Sequence, residues 1–378
     1  MGYVAVRGGG KAIEESLKLL EHDRTCAGAC ASIDEMEATL PFLIEQVMGE
    51  ASLYAPRLAA LALKQAGGSP EEAVFLLRAF RSTLERPYVS RVIDPAEMAV
   101  ERRISAAFKD VPGGQILGST RDYSHRLIHF DLEGETAADQ EKKAYSFEVA
   151  LRDALEAMSS EEREILEEKS ARLGSLPKVL DYLRSEGLLD TCEDDDAQPV
   201  DVTMDPLTFP APRSARLQTL ARGMTQGVTT LGYAAIRGFG PSHPTVGELR
   251  AGEVEVLVDH PLDPGGPEDA YYLGSLPVTE VESVFSVDAT ENGHAHLGFE
   301  IGYGMVMGHQ ETKAIAMSVL DFCLGQGDET YPTQNEEFVL LHVDGVKATG
   351  FVSHLKLPHY VTFQSKLSSV RSTVEKEA

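Results

Sequence analysis

The N-terminal half of the chain carries its apolar residues mostly at helical spacing, and capping residues mark several helix ends. A capping box at Ser32 and Glu35 predicts a helix that continues to about Met48. Residues 58–66 are predicted to form a second helix, which the glycine pair at 67–68 ends. These signals predict a helical N-terminal half, preceded by a short strand near the start of the chain.

A further helix is predicted to begin at Ser69-Pro70-Glu71-Glu72, which supplies an N-cap, a proline and a first-turn carboxylate. Its residues 73–80 are apolar nearly all round, which predicts a buried helix. Residues 131–198 are acidic and helical in pattern, and we interpret them as an insertion. The acidic run at 193–196 is typical of a solvated linker, so the domain boundary is placed there.

The C-terminal half changes to short strands and glycine turns. Residues 253–258 alternate like a half-buried strand, and residues 299–307 form a glycine-broken strand that leads into a helix over 310–324. Two more apolar runs, 338–343 and 348–352, are predicted to be strands.

The expected fold is therefore α+β. A mostly helical domain is predicted at 1–198, which includes the acidic insertion near 131–198. A mixed α/β domain is predicted at 199–378.

The composition limits the possible partners. The formal net charge is −26, from 34 basic and 60 acidic residues, and such a field repels nucleic acid and anionic membranes. No apolar stretch approaches the roughly 20 residues of a membrane-spanning helix, and the first residues lack a signal-peptide pattern. Four cysteines without zinc-finger spacing are interpreted as reduced thiols. A cytoplasmic protein is expected.

Two stretches, 101–126 and 211–250, are rich in arginine despite this acidity. The first contains Arg102, Arg103 and Lys109 beside a proline–glycine turn. Guanidinium groups suit bidentate contact with phosphate, and glycine lets backbone N–H groups approach an anion closely. For any single arginine an ion pair with a surplus carboxylate is the better interpretation, but the stretches together favour binding of an anionic substrate.

The segment around His354 and His359, with Lys356 between them, is a candidate metal site. Side chains five residues apart diverge in a helix or a strand, so both imidazoles face one site only if Leu357 and Pro358 turn the chain. Two imidazoles would begin a zinc or iron site, whose other ligands must come from elsewhere in the chain, a partner or a substrate. Spacing alone leaves a metal site and an ordinary pair of histidines both open.

The same segment carries a family resemblance. Residues 350–361 read Gly-Phe-Val-Ser-His-Leu-Lys-Leu-Pro-His-Tyr-Val and resemble the closing motif of the PhnI subunit of bacterial carbon–phosphorus lyase. The resemblance covers nearly the whole chain except the acidic segment 131–198. It includes the start of the chain, the predicted helices and the first arginine-rich stretch, with Arg237-Gly238, His243-Pro244, Gly302-Tyr303-Gly304 and Glu336-Glu337-Phe338-Val339-Leu340.

The resemblance implies a transferase subunit in alkylphosphonate catabolism. A phosphonate such as methylphosphonate displaces adenine from C1′ of MgATP and gives a ribose 1-phosphonate 5-triphosphate. The subunit alone is expected to act as a purine nucleosidase on ATP or GTP, with Mg²⁺ as the nucleotide's metal ion. Arg102, Arg103, Lys109 and Lys356 are the expected substrate-binding residues. No catalytic acid is assigned: Asp344 is a candidate, and an aspartate that caps a loop is an equally good interpretation of it.

The resemblance also implies partners. The G, H and J subunits form a core complex with two copies of this subunit, and the L subunit is needed for the transferase reaction. His354 and His359 are expected to bind Zn²⁺ near the boundary with J, an iron–sulfur radical enzyme. An alternative is a mainly structural subunit, whose histidine pair completes the J site without chemistry of its own.

Overall fold

The structure is a computed structural model, and it confirms the predicted α+β class. It contains fourteen α-helices and a four-stranded antiparallel sheet within the described part of the chain. That part comprises residues 9–171, 176–190, 197–260, 262, 270–291, 294–327 and 329–377. The strand predicted at the start of the chain and the linker at 193–196 lie outside these residues, and the division into two domains stays a prediction.

The elements follow one another along the chain in three groups. The first group is α1 (Gly9–Thr25), α2 (Ile33–Thr39), α3 (Pro41–Ala51), α4 (Pro56–Gln65) and α5 (Pro70–Arg81). The second is β1 (Ala99–Ile104), α6 (Ala137–Ala157), α7 (Ser160–Ala171) and α8 (Asp181–Ser185). The third is α9 (Arg213–Ala221), α10 (Thr225–Ala234), β2 (Thr245–Asp259), β3 (Ala270–Glu291), β4 (His294–Met307), α11 (Glu311–Gly325), α12 (Glu336–His342), α13 (Gly345–Ser353) and α14 (Tyr360–Glu377).

Local capping signals set the ends of the N-terminal helices. The predicted capping box at Ser32 and Glu35 is confirmed, as is the N-cap at Ser69, whose hydroxyl accepts from the Glu72 N–H. The helix that begins after Ser32, α2, does not continue to Met48 as predicted, because proline cannot donate the N–H that a continuing helix needs. Pro41 instead begins a new helix, α3.

Helices α2 to α5 pack around a core of their own. Val47, Ala59, Leu63, Val74 and Leu77 are buried in this core. Only one face of α5 takes part, so the prediction of burial all round is wrong. Its Phe75 and Phe80 are exposed.

The sheet joins the two halves of the sequence. Its order is β1-β2-β3-β4, and the edge strand β1 comes from the first arginine-rich stretch. Ala99 pairs with Glu253 and Ile104 with Leu249 across a bulge near Val100. The strands predicted at 253–258 and 299–307 are confirmed as parts of β2 and β4, which are longer than expected at 15 and 14 residues.

Alternate residues of the strands face two different layers. Leu249 and Val281 enter a hydrophobic core with α9, α10, α11 and α12. Glu248, Arg250 and Glu280 lie buried on the opposite face. The segment 176–189, which includes α8, covers this face: Leu176, Leu180, Leu183 and Leu189 pack against apolar residues of the sheet, and the Val179 N–H donates to Glu248. The end of the predicted insertion therefore belongs to the core.

Helix α11 lies unusually close to β4 because two glycines carry no side chain there. A Cβ built on Gly302 would stand 1.9 Å from the carbonyl oxygen of Ser318, and one on Gly304 would stand 2.2 Å from that of Ala314. The helix confirms the prediction for 310–324, and Val319, Phe322 and Cys323 are buried.

The strands predicted at 338–343 and 348–352 are wrong, because both segments are helices, α12 and α13. Each begins at a polar N-cap. The Asn335 side chain accepts from the Phe338 N–H at 2.7 Å, and the Asp344 side chain accepts from the Lys347 N–H at 3.3 Å.

Three helices are almost entirely exposed. Helices α1 and α6 bury no residue, and the described side chains of α14 are nearly all exposed. Their exposed apolar residues include Leu17, Leu20, Phe147, Leu151 and Phe363. None of the helices that the structure describes is both long and apolar enough to cross a membrane.

Candidate functional site

The predicted histidine pair lies in the turn between α13 and α14. His354 begins a short 3₁₀ turn, and Leu357 and Pro358 then redirect the chain before α14 begins at Tyr360. The two imidazole centroids are 5.6 Å apart. Two zinc–nitrogen bonds of about 2 Å place the centroids of two ring ligands roughly 5 Å apart, so the turn brings the pair to a separation that suits one metal ion.

The hydrogen bonds of the pair also fit metal ligation. Nδ1 of His354 lies against the Phe351 carbonyl oxygen, and Nδ1 of His359 is 2.6 Å from the Leu357 carbonyl oxygen. Because a carbonyl oxygen only accepts, each Nδ1 donates, and Nε2 is then the ring nitrogen that can bind a metal ion. Among the described residues no cluster of three or more histidine, cysteine or acidic side chains is placed to hold a metal.

The predicted substrate-binding residues are spread over three places. Lys356 is exposed in the turn between the two histidines, and Lys109 is exposed in the loop after β1. Arg102 and Arg103 are neighbours on β1 and reach different surroundings. Of the four, Arg102 lines a large cavity.

Arg103 lies in the fully buried charge network between the sheet and the segment 176–189. Its Nε donates to Glu248 at 2.6 Å, and its two terminal nitrogens donate to the carbonyl oxygens of Pro112 and Pro177. Arg250 donates to the same Glu248 oxygen at 2.8 Å. The side chain of Arg103 is 0% exposed, so the structure gives it internal partners rather than access to a ligand.

Arg102 points to a cavity of about 680 Å³ between α3, β1 and the beginning of α11. Its guanidinium pairs with Asp122 and, at 2.6 Å, with Glu311. Arg121 lies over the Phe42 ring, 5.0 Å from its centroid. The cavity has the size of a small-molecule site, and its lining residues are Pro41, Phe42, Glu45, Glu101, Arg102, Ser119, Thr120, Arg121, His309, Glu311 and Thr312.

His309 is held between two carboxylates at this cavity. Nδ1 is 3.0 Å from Oε1 of Glu45, and Nε2 is 3.1 Å from Oε2 of Glu101. The hydrogen bond to Glu45, then that to Glu101, outweighs the effect of burial and raises the pKa of His309 to about 9. The ring is therefore an imidazolium at neutral pH, with both nitrogens donating.

Most other candidates have structural roles. In the second arginine-rich stretch, Arg213 donates two hydrogen bonds to Asp321, and Arg216 lies 3.5 Å from Glu336. Asp344 caps α13 and pairs with Arg78 at 2.7 Å. Burial alone raises the pKa of Asp344, but Arg78 holds it below its usual value, so Asp344 is a carboxylate rather than an acid.

The sequence did not single out His309 or Glu45. A signal for His309 was available, because it stands at the junction between the strand predicted at 299–307 and the helix predicted at 310–324. Glu45 gave none, since it is one acidic residue within a helix.

The model of the family described as bacterial phosphonate metabolism protein (PhnI) matches residues 2–377. HtxH of Stutzerimonas stutzeri, provisionally described as a C–P lyase subunit, is 44% identical over 100% of this chain and 97% of its own.

Two relatives are named alpha-D-ribose 1-methylphosphonate 5-triphosphate synthase subunit PhnI. The Rhizobium meliloti protein is 41% identical over 98% of this chain and 94% of its own. The Escherichia coli protein is 40% identical over 98% of this chain and 97% of its own. The chain therefore belongs to the PhnI family of bacterial phosphonate metabolism proteins.

Proposed function

We propose that the chain is a subunit of carbon–phosphorus lyase that displaces adenine from C1′ of MgATP with an alkylphosphonate. The product is a ribose 1-phosphonate 5-triphosphate, and the names of the relatives support this reaction class. Alone, the chain is proposed to act as a purine nucleosidase on ATP or GTP, with water in place of the phosphonate. The observation that carries the proposal is the cationic His309 in a cavity with Arg102 and Arg121.

The chemistry explains why such a cavity suits the reaction. Breaking an N-glycosidic bond places negative charge on the departing base, while the triphosphate and the phosphonate are anions that must be held together. An imidazolium can donate to the base, and the exposed guanidinium group of Arg121 can bind a phosphate, whereas that of Arg102 is already paired with Asp122 and Glu311. The cavity supplies both kinds of cation in a protein whose net charge of −26 otherwise repels anions.

The test of this function is release of adenine. The purified chain is incubated with MgATP alone, and then with methylphosphonate and the G, H and L subunits, and free adenine is measured by chromatography. Adenine is expected in both reactions, and the ribose phosphonate only in the second. A chain that releases no adenine under either condition contradicts the proposal.

The Arg121→Ala variant is expected to raise KM for ATP by about tenfold or more, because a charged hydrogen bond contributes about 1.5–3 kcal/mol. Arg121 is exposed at the cavity and its ring contact with Phe42 is local, so Tm should change little. Arg57→Ala is the control, since it removes one half of an exposed ion pair with Asp34 away from the cavity. Equal KM values for both variants would contradict a phosphate contact at Arg121.

The second candidate function concerns the histidine pair. We propose that His354 and His359 bind Zn²⁺ at an interface with the J subunit, and that Lys356 binds substrate there. Their 5.6 Å centroid separation favours this role, and the exposed Phe351 and Leu355 beside them suit a protein contact. A partner or a substrate supplies the remaining ligands. If this is the subunit's whole contribution, the chain is mainly structural.

Zinc content tests the metal site. Replacing both His354 and His359 by alanine is expected to reduce bound zinc in the assembled complex to background, because both metal ligands that this chain supplies are then gone. The matched control replaces His342 and His243, whose Nδ1 atoms also lie near backbone carbonyl oxygens, at 2.6 Å and 3.1 Å. Full zinc occupancy in the first variant would rule the site out.

The wider assembly is proposed on the same family grounds. Two copies of the chain are proposed to form a cytoplasmic core complex with G, H and J. The exposed apolar faces of α1 and α14 support contacts with other subunits. Neither nucleic acid nor a membrane is proposed as a partner.

A further inference from the structure

We propose that His309 is the general acid that protonates the departing purine and that Glu45 is the residue that positions it. This inference rests on the nucleosidase and transferase function proposed above, and it supplies the catalytic acid that the sequence did not identify. Three features support it. Glu45 holds Nδ1 of the ring in a fixed position, the exposed Glu101 at Nε2 can be replaced by a substrate, and the ring carries a positive charge.

Glu45 clamps His309 from the protein side. Oε2 of Glu45 accepts from the backbone N–H of His309 at 2.8 Å, while Oε1 accepts from Nδ1 at 3.0 Å. Gly308 permits this close approach, because a Cβ there would stand 2.6 Å from the Cβ of Glu45 and its φ is +79°. One carboxylate thereby fixes both the backbone and the ring of His309, and the Nδ1 proton is used in the hydrogen bond to Glu45.

Glu101 holds the opposite nitrogen much more loosely. Its side chain is 57% exposed, whereas that of Glu45 is 13% exposed. Glu101 sits on the edge strand and contributes one hydrogen bond, of 3.1 Å, to Nε2. A ring nitrogen of a purine can replace this exposed carboxylate, and Nε2–H then points at the base while Glu45 keeps the ring in place.

The charges around His309 favour a proton that is present and transferable. With both carboxylates in place the pKa of His309 is about 9, so the ring is protonated at neutral pH. When a neutral base replaces Glu101, one stabilising charge is lost and the pKa falls toward neutrality, where general acids work best. The titratable and charged groups that line the cavity with His309 are Glu45, Glu101, Arg102, Arg121 and Glu311.

The proposed step balances without a redox partner. The C1′–N9 bond breaks and its electron pair passes into the purine ring, while the proton on His309 Nε2 moves to N7 of the purine. A lone pair of the phosphonate oxygen, or of water, forms the new C1′–O bond. With water, the extra proton leaves to solvent. Neutral His309 then takes a proton from solvent and returns to its starting state.

A pair of nucleotides separates this role from simple binding. GTP needs protonation at N7, whereas 7-methyl-GTP already carries a cationic ring and departs as a neutral base. The His309→Gln variant is expected to lower kcat for GTP by about 100-fold or more and to change kcat for 7-methyl-GTP only a few-fold. His342→Gln is the control, because its ring bonds to the Phe338 carbonyl oxygen of its own helix and lies outside the cavity.

The Glu45→Gln variant gives a second readout that does not require loss of the imidazole. Removing a carboxylate beside the ring should move the alkaline limb of the pH–rate profile for GTP down by about 1–3 pH units. Suppose that the wild type releases purine but His309→Gln lowers kcat equally for GTP and 7-methyl-GTP. That result overturns the acid role of His309 and leaves the proposed function standing. An alkaline limb that stays at the same pH in Glu45→Gln does the same. A wild type that releases no purine from any nucleotide overturns the proposed function as well.

Discussion

Replacing Glu248 by alanine is expected to lower the free energy of unfolding by about 3–5 kcal/mol, because it leaves buried charges without a counter-ion. Arg103 and Arg250 both donate to this carboxylate, at 2.6 Å and 2.8 Å, and their side chains are 0% and 1% exposed. The other carboxylate oxygen accepts from the Val179 N–H at 2.8 Å, which ties the segment 176–189 to the sheet. One substitution thus removes the shared counter-ion of both guanidinium groups and an attachment of a whole layer.

Urea unfolding measures this effect. Asp34→Ala is the control, since its ion pair with Arg57 is exposed and should contribute less than about 1 kcal/mol. Glu248→Gln should fall between the two, because it keeps the shape and an acceptor but not the charge. A Glu248→Ala variant as stable as the control would mean that the buried guanidinium groups are balanced elsewhere.

Gly302→Ala is expected to destabilise the fold by about 3 kcal/mol, at the upper end of the usual range for overpacking. The added Cβ would stand 1.9 Å from the Ser318 carbonyl oxygen and 3.0 Å from the Cβ of Phe322. Both atoms belong to α11, so the whole helix must move. Gly304 makes a similar contact one turn earlier, at Ala314, and therefore prevents a simple tilt.

Thermal unfolding of Gly302→Ala should be compared with Gly350→Ala. Gly350 lies within α13 and has no neighbouring atom within 4 Å of a built Cβ. Alanine there should stabilise the protein by about 0.5–1 kcal/mol, because glycine is a poor helix former. Changes of the same sign in both variants would indicate that backbone propensity, rather than the α11 contact, decides the result.

Local signals predicted the parts of the fold whose causes are local. The sequence reveals the N-caps at Ser32 and Ser69 and the glycine pair that follows the C-terminal end of α4. Each is recognisable because the groups that form the cap lie within a few residues of one another. The apolar runs at 338–343 and 348–352 were misread as strands, since short apolar runs occur in both kinds of element. Their N-caps, Asn335 and Asp344, were the signals that should have decided the assignment.

The site depended on contacts that no local pattern contains. His309 meets Glu45 and Glu101 across 264 and 208 positions of sequence. Arg102 and Arg103 looked equivalent, but alternation along β1 sends one to the cavity and the other into the buried network. The turn at His354 and His359 was foreseen as a condition for metal binding, because the effect of Pro358 on its neighbour is local.

The edge strand β1 has a consequence for the order of folding. Its partner β2 lies far along the chain, with Ala99 opposite Glu253, and helices α6 to α10 are made in between. The chain emerges from the ribosome with its N-terminal end first, so Arg103 is exposed long before Glu248 exists to neutralise it. Long-range pairing of this kind is slow. We therefore expect β1 to join the sheet after the consecutive strands β2, β3 and β4 have paired, and the buried charge network forms with it. Only then does Arg102 gain a fixed position beside the cavity.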